Sequence, residues 1–125
     1  IDAICSQHTP IGSSSKAAPF PATRPGMAGV DTLLSLVLGL VEDGKLELPR
    51  ALDAITAAPA RCLGIQAGQL ETGRLASLCV LDAGAEKDYG EHWLSAGGNS
   101  PWRHSVLKGS VKLTICQGKV SWLTD

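Results

Sequence analysis

The sequence predicts a mixed α/β chain in two parts, 1–64 and 65–125, and three observations predict it. Apolar residues between 31 and 43 recur at three- and four-residue steps, which is the helical period. After Gly64 the apolar period switches to two. Between them, the stretch 11–29 holds Pro19, Pro21 and Pro25 with Gly12, Gly26 and Gly29, a density that regular elements do not tolerate. The length of 125 residues sets an upper bound, since a complete (β/α)8 barrel needs about 250.

Residues 1–6, Ile-Asp-Ala-Ile-Cys-Ser, are small or β-branched and read as a strand. Pro10 ends it by excluding Thr9 from the α region. The long loop 11–29 follows, and long ordered loops in small domains are often functional. Helix is expected over 31–43, with Leu33, Leu34, Val37, Leu40 and Val41 on one face and Leu36 and Leu38 widening it. Asp31 suits the positive end of that helix and Gly44 its C-terminal stop. A second helix is expected from Pro49, with Leu52 and Ile55 facing inward, and a short third turn from Pro59 to Leu63, closed by Gly64. Strands are expected at 75–82, 111–116 and 119–122, the last two joined through a tight turn at Gln117-Gly118.

Composition narrows the function classes. Apolar residues make up 44% and charged residues 18%, an ordinary globular balance. One Phe, one Tyr and three Trp leave the core to aliphatic side chains. Eleven basic residues against twelve acidic ones give a net charge of −1, with no surplus for gripping phosphate backbones, so no nucleic-acid partner is expected. The longest apolar run, 33–41, is too short to span a bilayer, so no membrane partner is expected. Cys5, Cys62, Cys79 and Cys116 lie in apolar stretches with no C-x-x-C spacing and read as buried, reduced thiols of a cytoplasmic protein. Cys5 with His8 lacks a second metal-spaced pair, so no metal site is expected. His92 and His104 read as solvated, Gly97-Gly98 as a turn, and the tryptophans as core or edge packing. The start at Ile1, without Met and inside an apolar stretch, reads as a fragment of a longer chain.

Several motifs, in order, resemble dihydroorotases of the amidohydrolase superfamily. The stretch from Ile1 through Gln7-His8-Thr9-Pro10 resembles their eighth barrel strand, which ends in Asp-His-Ala-Pro-His. Lys16, Phe20, Pro25-Gly26, Gly29 and Val30-Asp31-Thr32 match a loop bearing Glu-Lys, Phe, Pro-x-Gly and Gly-Leu-Glu-Thr. The run Thr56-Ala57-Ala58-Pro59-Ala60-Arg61 resembles Thr-x-Asn-Pro-Ala-Arg. Gly68 through Ala76 is similar to Gly-x-Leu-x-x-Gly-x-x-Ala, Ser95 with Asn99-Ser100-Pro101-Trp102 to Ser-Lys-x-x-Asn-Thr-Pro-Phe, and 111–120 to the family's closing hairpin. The resemblance implies the last strand and helices of a TIM-like (β/α)8 barrel in 1–64. It implies part of a satellite β-sandwich in 65–125.

The resemblance also implies site residues, and here the chain departs from the pattern. The family's Asp at the end of strand eight ligates a metal and activates the attacking water; Gln7 stands there. A carboxamide is neither a general base nor a good ligand for a hard cation. The family's substrate-contacting His is Ile11, which cannot hydrogen-bond a carboxylate. What remains of the pocket is His8, Pro25 and Gly26. Ala58 replaces an Asn that would cap the turn at Pro59, a loss of about 1 kcal/mol. No catalytic residue and no cofactor are therefore expected in this segment, although active relatives use zinc.

The implied function is that of a pseudoenzyme, a non-catalytic dihydroorotase homologue with an assembly role in pyrimidine biosynthesis. Its implied partners are the remainder of the parent chain and aspartate carbamoyltransferase, in an oligomer that forms near 93–104 and the loop 11–29. Two other readings stay open: a metal-dependent cyclic-amide hydrolase that opens dihydroorotate to carbamoyl-aspartate with a different base, and a free-standing small α+β binding domain.

Overall fold

In the computed structural model, which describes residues 1–124, the helical period of 31–43 becomes helix α1, Leu33–Glu42. Ser35, Val37 and Leu38 are its buried residues. Gly44 adopts φ 67° just past the helix, and its N–H returns to the Val41 carbonyl at 3.0 Å, the left-handed stop its lack of a Cβ allows. At the other end, Asp31 lies outside the helix rather than in its first turn, because its carboxylate is taken by residues 94 and 95.

Helix α2, Leu48–Ile55, carries Pro49 in its first turn as expected, but Ala51 and Ala54 are its buried residues, while Leu52 and Ile55 are half-buried. The small alanines let the start of the chain approach the helix, where Ile4 donates its N–H to the Ala54 carbonyl at 2.8 Å. Helix α3, Ala57–Leu63, begins two residues before Pro59, which occupies a first-turn position whose N–H has no helical partner to lose. No side chain caps its N-terminus, and Gly64 closes it at φ 68°.

The sheet has three antiparallel strands in the order β1-β2-β3: Leu78–Asp88, Val106–Cys116 and Lys119–Leu123. The first two are longer than the period predicts. Asp82-Ala83-Gly84 reads as a strand end, yet the Asp82 carboxylate accepts the N–H groups of Gly84 and Ala85 at 3.0 and 3.1 Å, folding the turn into a bulge. Pairing resumes at Glu86 opposite Lys108. Gly109 lies opposite this bulge at φ 100°, and β2 runs through it. The hairpin turn has Gln117 and Gly118 both at positive φ, 48° and 77°, the geometry that matches strand twist. Ser77 Oγ accepts the Gln117 N–H at 3.1 Å, and the Ala76 carbonyl accepts that of Gly118 at 2.7 Å.

A buried polar contact joins helix to sheet. Ser35 Oγ of α1 lies 2.8 Å from the Tyr89 hydroxyl and donates to the Gly109 carbonyl at 3.3 Å. Tyr89 is among the largest fully buried side chains, and burial raises its phenol pKa above the ordinary value against the opposing bond from Ser35. The rest of the core is small: Ala28, Val37, Leu38, Ala51, Ala54, Ala58 and Ala60.

Two expectations do not survive. Residues 1–6 form no strand; the first segment makes only an isolated parallel bridge, His8 with Met27. A strand needs a neighbouring strand, and this segment faces a helix end and a loop instead. All four cysteines are free, and all are exposed. Apolar neighbours in sequence do not set the face: alternation along β1 leaves Leu78 half-buried and turns Cys79 outward.

Leu63, Ile65, Leu70, Leu75, Val120 and Leu123 are also exposed, more apolar surface than a solitary domain of this size ordinarily shows. The segment 1–125 expressed alone is therefore expected to self-associate, as read by light scattering on a gel-filtration column. A monomer with cooperative unfolding would refute this.

Candidate functional site

The first segment is held at both ends. Near its start, the Arg50 guanidinium donates to the Ile1 and Asp2 carbonyl oxygens and to Asp53 at 3.1 Å. Asp53 also receives both guanidinium nitrogens of Arg61, at 2.9 and 3.0 Å. The bond from Arg61 is the main cause that holds the Asp53 carboxyl below its usual range, and Arg50 adds to it. Arg61 of the Pro-Ala-Arg motif thus ties α3 to α2, and Arg50 ties α2 to the first segment.

At the far end lies the chain's version of the expected site. Gln7 is exposed with φ 51°, and its Nε2 stands 3.8 Å from Cys5 Sγ. His8 Nδ1 accepts two successive backbone N–H groups, from Gly29 and Val30, each at 3.2 Å. Thr9 donates its N–H to the Met27 carbonyl at 2.9 Å. The long loop, which forms two 3-10 turns at Ser13–Lys16 and Phe20–Ala22, returns past exposed Pro25 and closes onto the first segment at Gly26 and Gly29. A Cβ on Gly26, which has φ 131°, would stand 2.7 Å from the Thr9 carbonyl oxygen, so only glycine fits. Across the loop, Asn99 donates from Nδ2 to the Gly26 carbonyl at 2.8 Å and accepts the Ala28 N–H at 2.9 Å. Ile11 is half-buried against Gly97, where a Cβ would stand 2.6 Å from the Ile11 nitrogen.

The structure therefore brings His8 against the loop's return and joins two regions that the sequence suggests separately. The loop 11–29 and the segment 93–104 meet at Ile11–Gly97 and at Asn99. Gln7 and Ile11 are not brought into hydrogen-bond contact with His8. His92 and His104 are exposed, as expected. Trp93 packs edge-on to Tyr89 at 6.3 Å and donates its indole N–H to the Gly97 carbonyl at 3.1 Å, whereas Trp122 borders an open groove of ≈ 800 Å³ between the sheet and residues 91–95.

The donors do not fit zinc. Gln7 offers a neutral amide, the Nδ1 lone pair of His8 is engaged by two N–H groups, and among the described residues no three His, Cys, Asp or Glu side chains converge. No helix of the described residues is long and apolar enough to cross a membrane.

One contact lay beyond periodicity. Asp31 accepts the Leu94 N–H at 3.1 Å and the Ser95 hydroxyl, binding the start of α1 to the segment 93–104. Partial burial pushes the Asp31 carboxyl up, but the bonds from Ser95 and Leu94 outweigh it and hold it below the ordinary 3.8. A lowered carboxylate pKa adds stability above the unfolded value and loses it as pH falls through the folded one. Asp31→Asn is thus expected to cost about 1 kcal/mol at neutral pH, because one donor then faces an amide NH2. That difference should shrink below pH 3.8 and vanish when the carboxyl is protonated in both states. Urea midpoints across that range read it, and a gap that persists in acid would contradict it.

Residues 22–121 match the family model described as the amidohydrolase family. The chain is 42% identical over 120 residues to a dihydroorotase-like protein of Pseudomonas putida, covering 96% of this chain and 28% of that protein. It is 40% identical over 121 residues to a dihydroorotase of Anaeromyxobacter dehalogenans strain 2CP-C, again over 96% of this chain and 28% of the relative. A solved D-hydantoinase superposes with a TM-score of 0.70 at 22% identity, over 87% of this chain and 24% of that one, a likeness of fold. The chain thus spans less than a third of the length of the relatives it matches.

Proposed function

The chain belongs to the amidohydrolase family, and from that premise we propose that it is the C-terminal part of a non-catalytic dihydroorotase homologue with an assembly role. In this reading the first part is the end of a TIM-like barrel and the sheet is part of a satellite sandwich. The observation that carries the proposal is Gln7. It occupies the position where the resemblance puts the metal-ligating base, it is exposed, and its carboxamide neither takes a proton near neutral pH nor carries charge for a cation. Ile11 adds a second chemical loss five residues into the same motif.

The parts that survive are those that build shape. Gly26, Gly29 and Asn99 keep the loop's contacts, Arg61 keeps its carboxylate, and the last hairpin keeps its turn. A chain under no demand would have lost packing and chemistry together. The partner the resemblance implies is aspartate carbamoyltransferase, in a cytoplasmic oligomer. The joined surface of 11–29 and 93–104, with Phe20 fully projecting, is where we place the contact. A stable interface there should bury at least about 1,000 Å² in all. Co-expression of the intact protein with the carbamoyltransferase, followed by size-exclusion chromatography, tests the reading. Co-elution and a loss of assembled transferase when this protein is omitted are expected. A transferase that assembles and turns over equally well alone would overturn it.

A further inference from the structure

We propose that His8 is the positioning residue of the long loop, and that this task fixes its imidazole in the Nε2–H tautomer. Two successive backbone amides, Gly29 and Val30, converge on one ring nitrogen at equal distances of 3.2 Å. A protonated ring nitrogen cannot accept, so in the neutral ring the proton sits on Nε2. His8 therefore presents an N–H to solvent, and no lone pair.

The surroundings explain why this one acceptor matters. His8 and Gly29 are 21 residues apart, so their contact closes the base of the whole excursion. Beside it, the Thr9–Met27 bond, part of the isolated His8–Met27 bridge, joins the same two segments. Gly29 is buried and pressed onto the first segment, with the Ser6 carbonyl oxygen where a Cβ would be, so the ring is the acceptor that its N–H meets there. Asn99 grips the same return from the opposite side through Gly26 and Ala28. The return 26–30 is thus a backbone turn clamped between an imidazole and an amide. This holds whether or not the parent protein turns substrate over, so its failure and that of the assembly reading are separate.

The test uses the intact protein. With 15N-labelled histidine, the ring of His8, assigned by its loss in a His8→Asn protein, should show an unprotonated Nδ1 and a protonated Nε2 at neutral pH. Asn places an oxygen acceptor where Nδ1 stands, whereas Gln places its amide near Nε2. His8→Asn should therefore retain slow amide exchange at Gly29 and Val30, and His8→Gln should exchange there about five- to tenfold faster, the worth of roughly one hydrogen bond. A protonated Nδ1 in the unsubstituted protein overturns the proposal. So does equal exchange in two folded variants. Should both variants fail to fold, the ring spectrum of the unsubstituted protein decides alone.

Discussion

Dihydroorotate hydrolysis by the intact protein is expected to run at least about 10²–10⁴-fold below that of a dihydroorotase relative assayed alongside, the usual worth of a positioned general base. Gln7→Asp alone is not expected to recover it. The substitution should fold without difficulty, because Gln7 sits at φ 51° and Asp is among the residues that accept the left-handed region most readily. The deficit that remains is then chemical. Ile11 still offers no hydrogen bond, and groups that act as a unit are not restored singly. The His8 lone pair at Nδ1 is still committed to Gly29 and Val30. Turnover by the unmodified protein within tenfold of the relative would sink the non-catalytic reading and favour a cyclic-amide hydrolase with another base.

Gly109→Val should destabilise the intact protein by about 2–6 kcal/mol, which is severe for one residue. Two separate effects add. Gly109 holds φ 100°, where a β-branched side chain is strained by about 1–3 kcal/mol. Its Cβ would also stand 2.6 Å from Cδ1 of the buried Leu38, whose side-chain tip must shift to make room. Repacking that tip inside the core costs a further 1–3 kcal/mol or so, next to the Ser35 bond to the Gly109 carbonyl. Leu38→Ala in the same protein should return part of the steric cost and none of the backbone strain, so the pair will couple. Urea unfolding of the single and double variants measures both. A Gly109→Val protein within about 1 kcal/mol of the original would show that the bulge is not fixed as described.

Periodicity and punctuation determined much of this chain without help. The three-to-four-residue stripe sufficed for α1, Pro49 and Gly64 for the limits of two helices, and Gln117-Gly118 for the hairpin, because each depends on backbone preferences within a few residues. That Gln7, a carboxamide, stands where the resemblance puts a carboxylate was equally legible, since it is a matter of side-chain chemistry. Tertiary structure alone decided the rest. Whether 1–6 pairs as a strand depends on which neighbour is present. Whether Asp82-Ala83-Gly84 ends β1 or bulges it depends on β2 continuing through Gly109. The inner face of α2 fell to Ala51 and Ala54 because closeness of approach, not hydrophobicity, selects small residues there. The contacts of His8 with Gly29 and Val30, of Asn99 with Gly26, and of Asp31 with Ser95 join residues far apart in sequence. No local pattern encodes such pairs, because each joins residues that only the three-dimensional packing of the chain brings together.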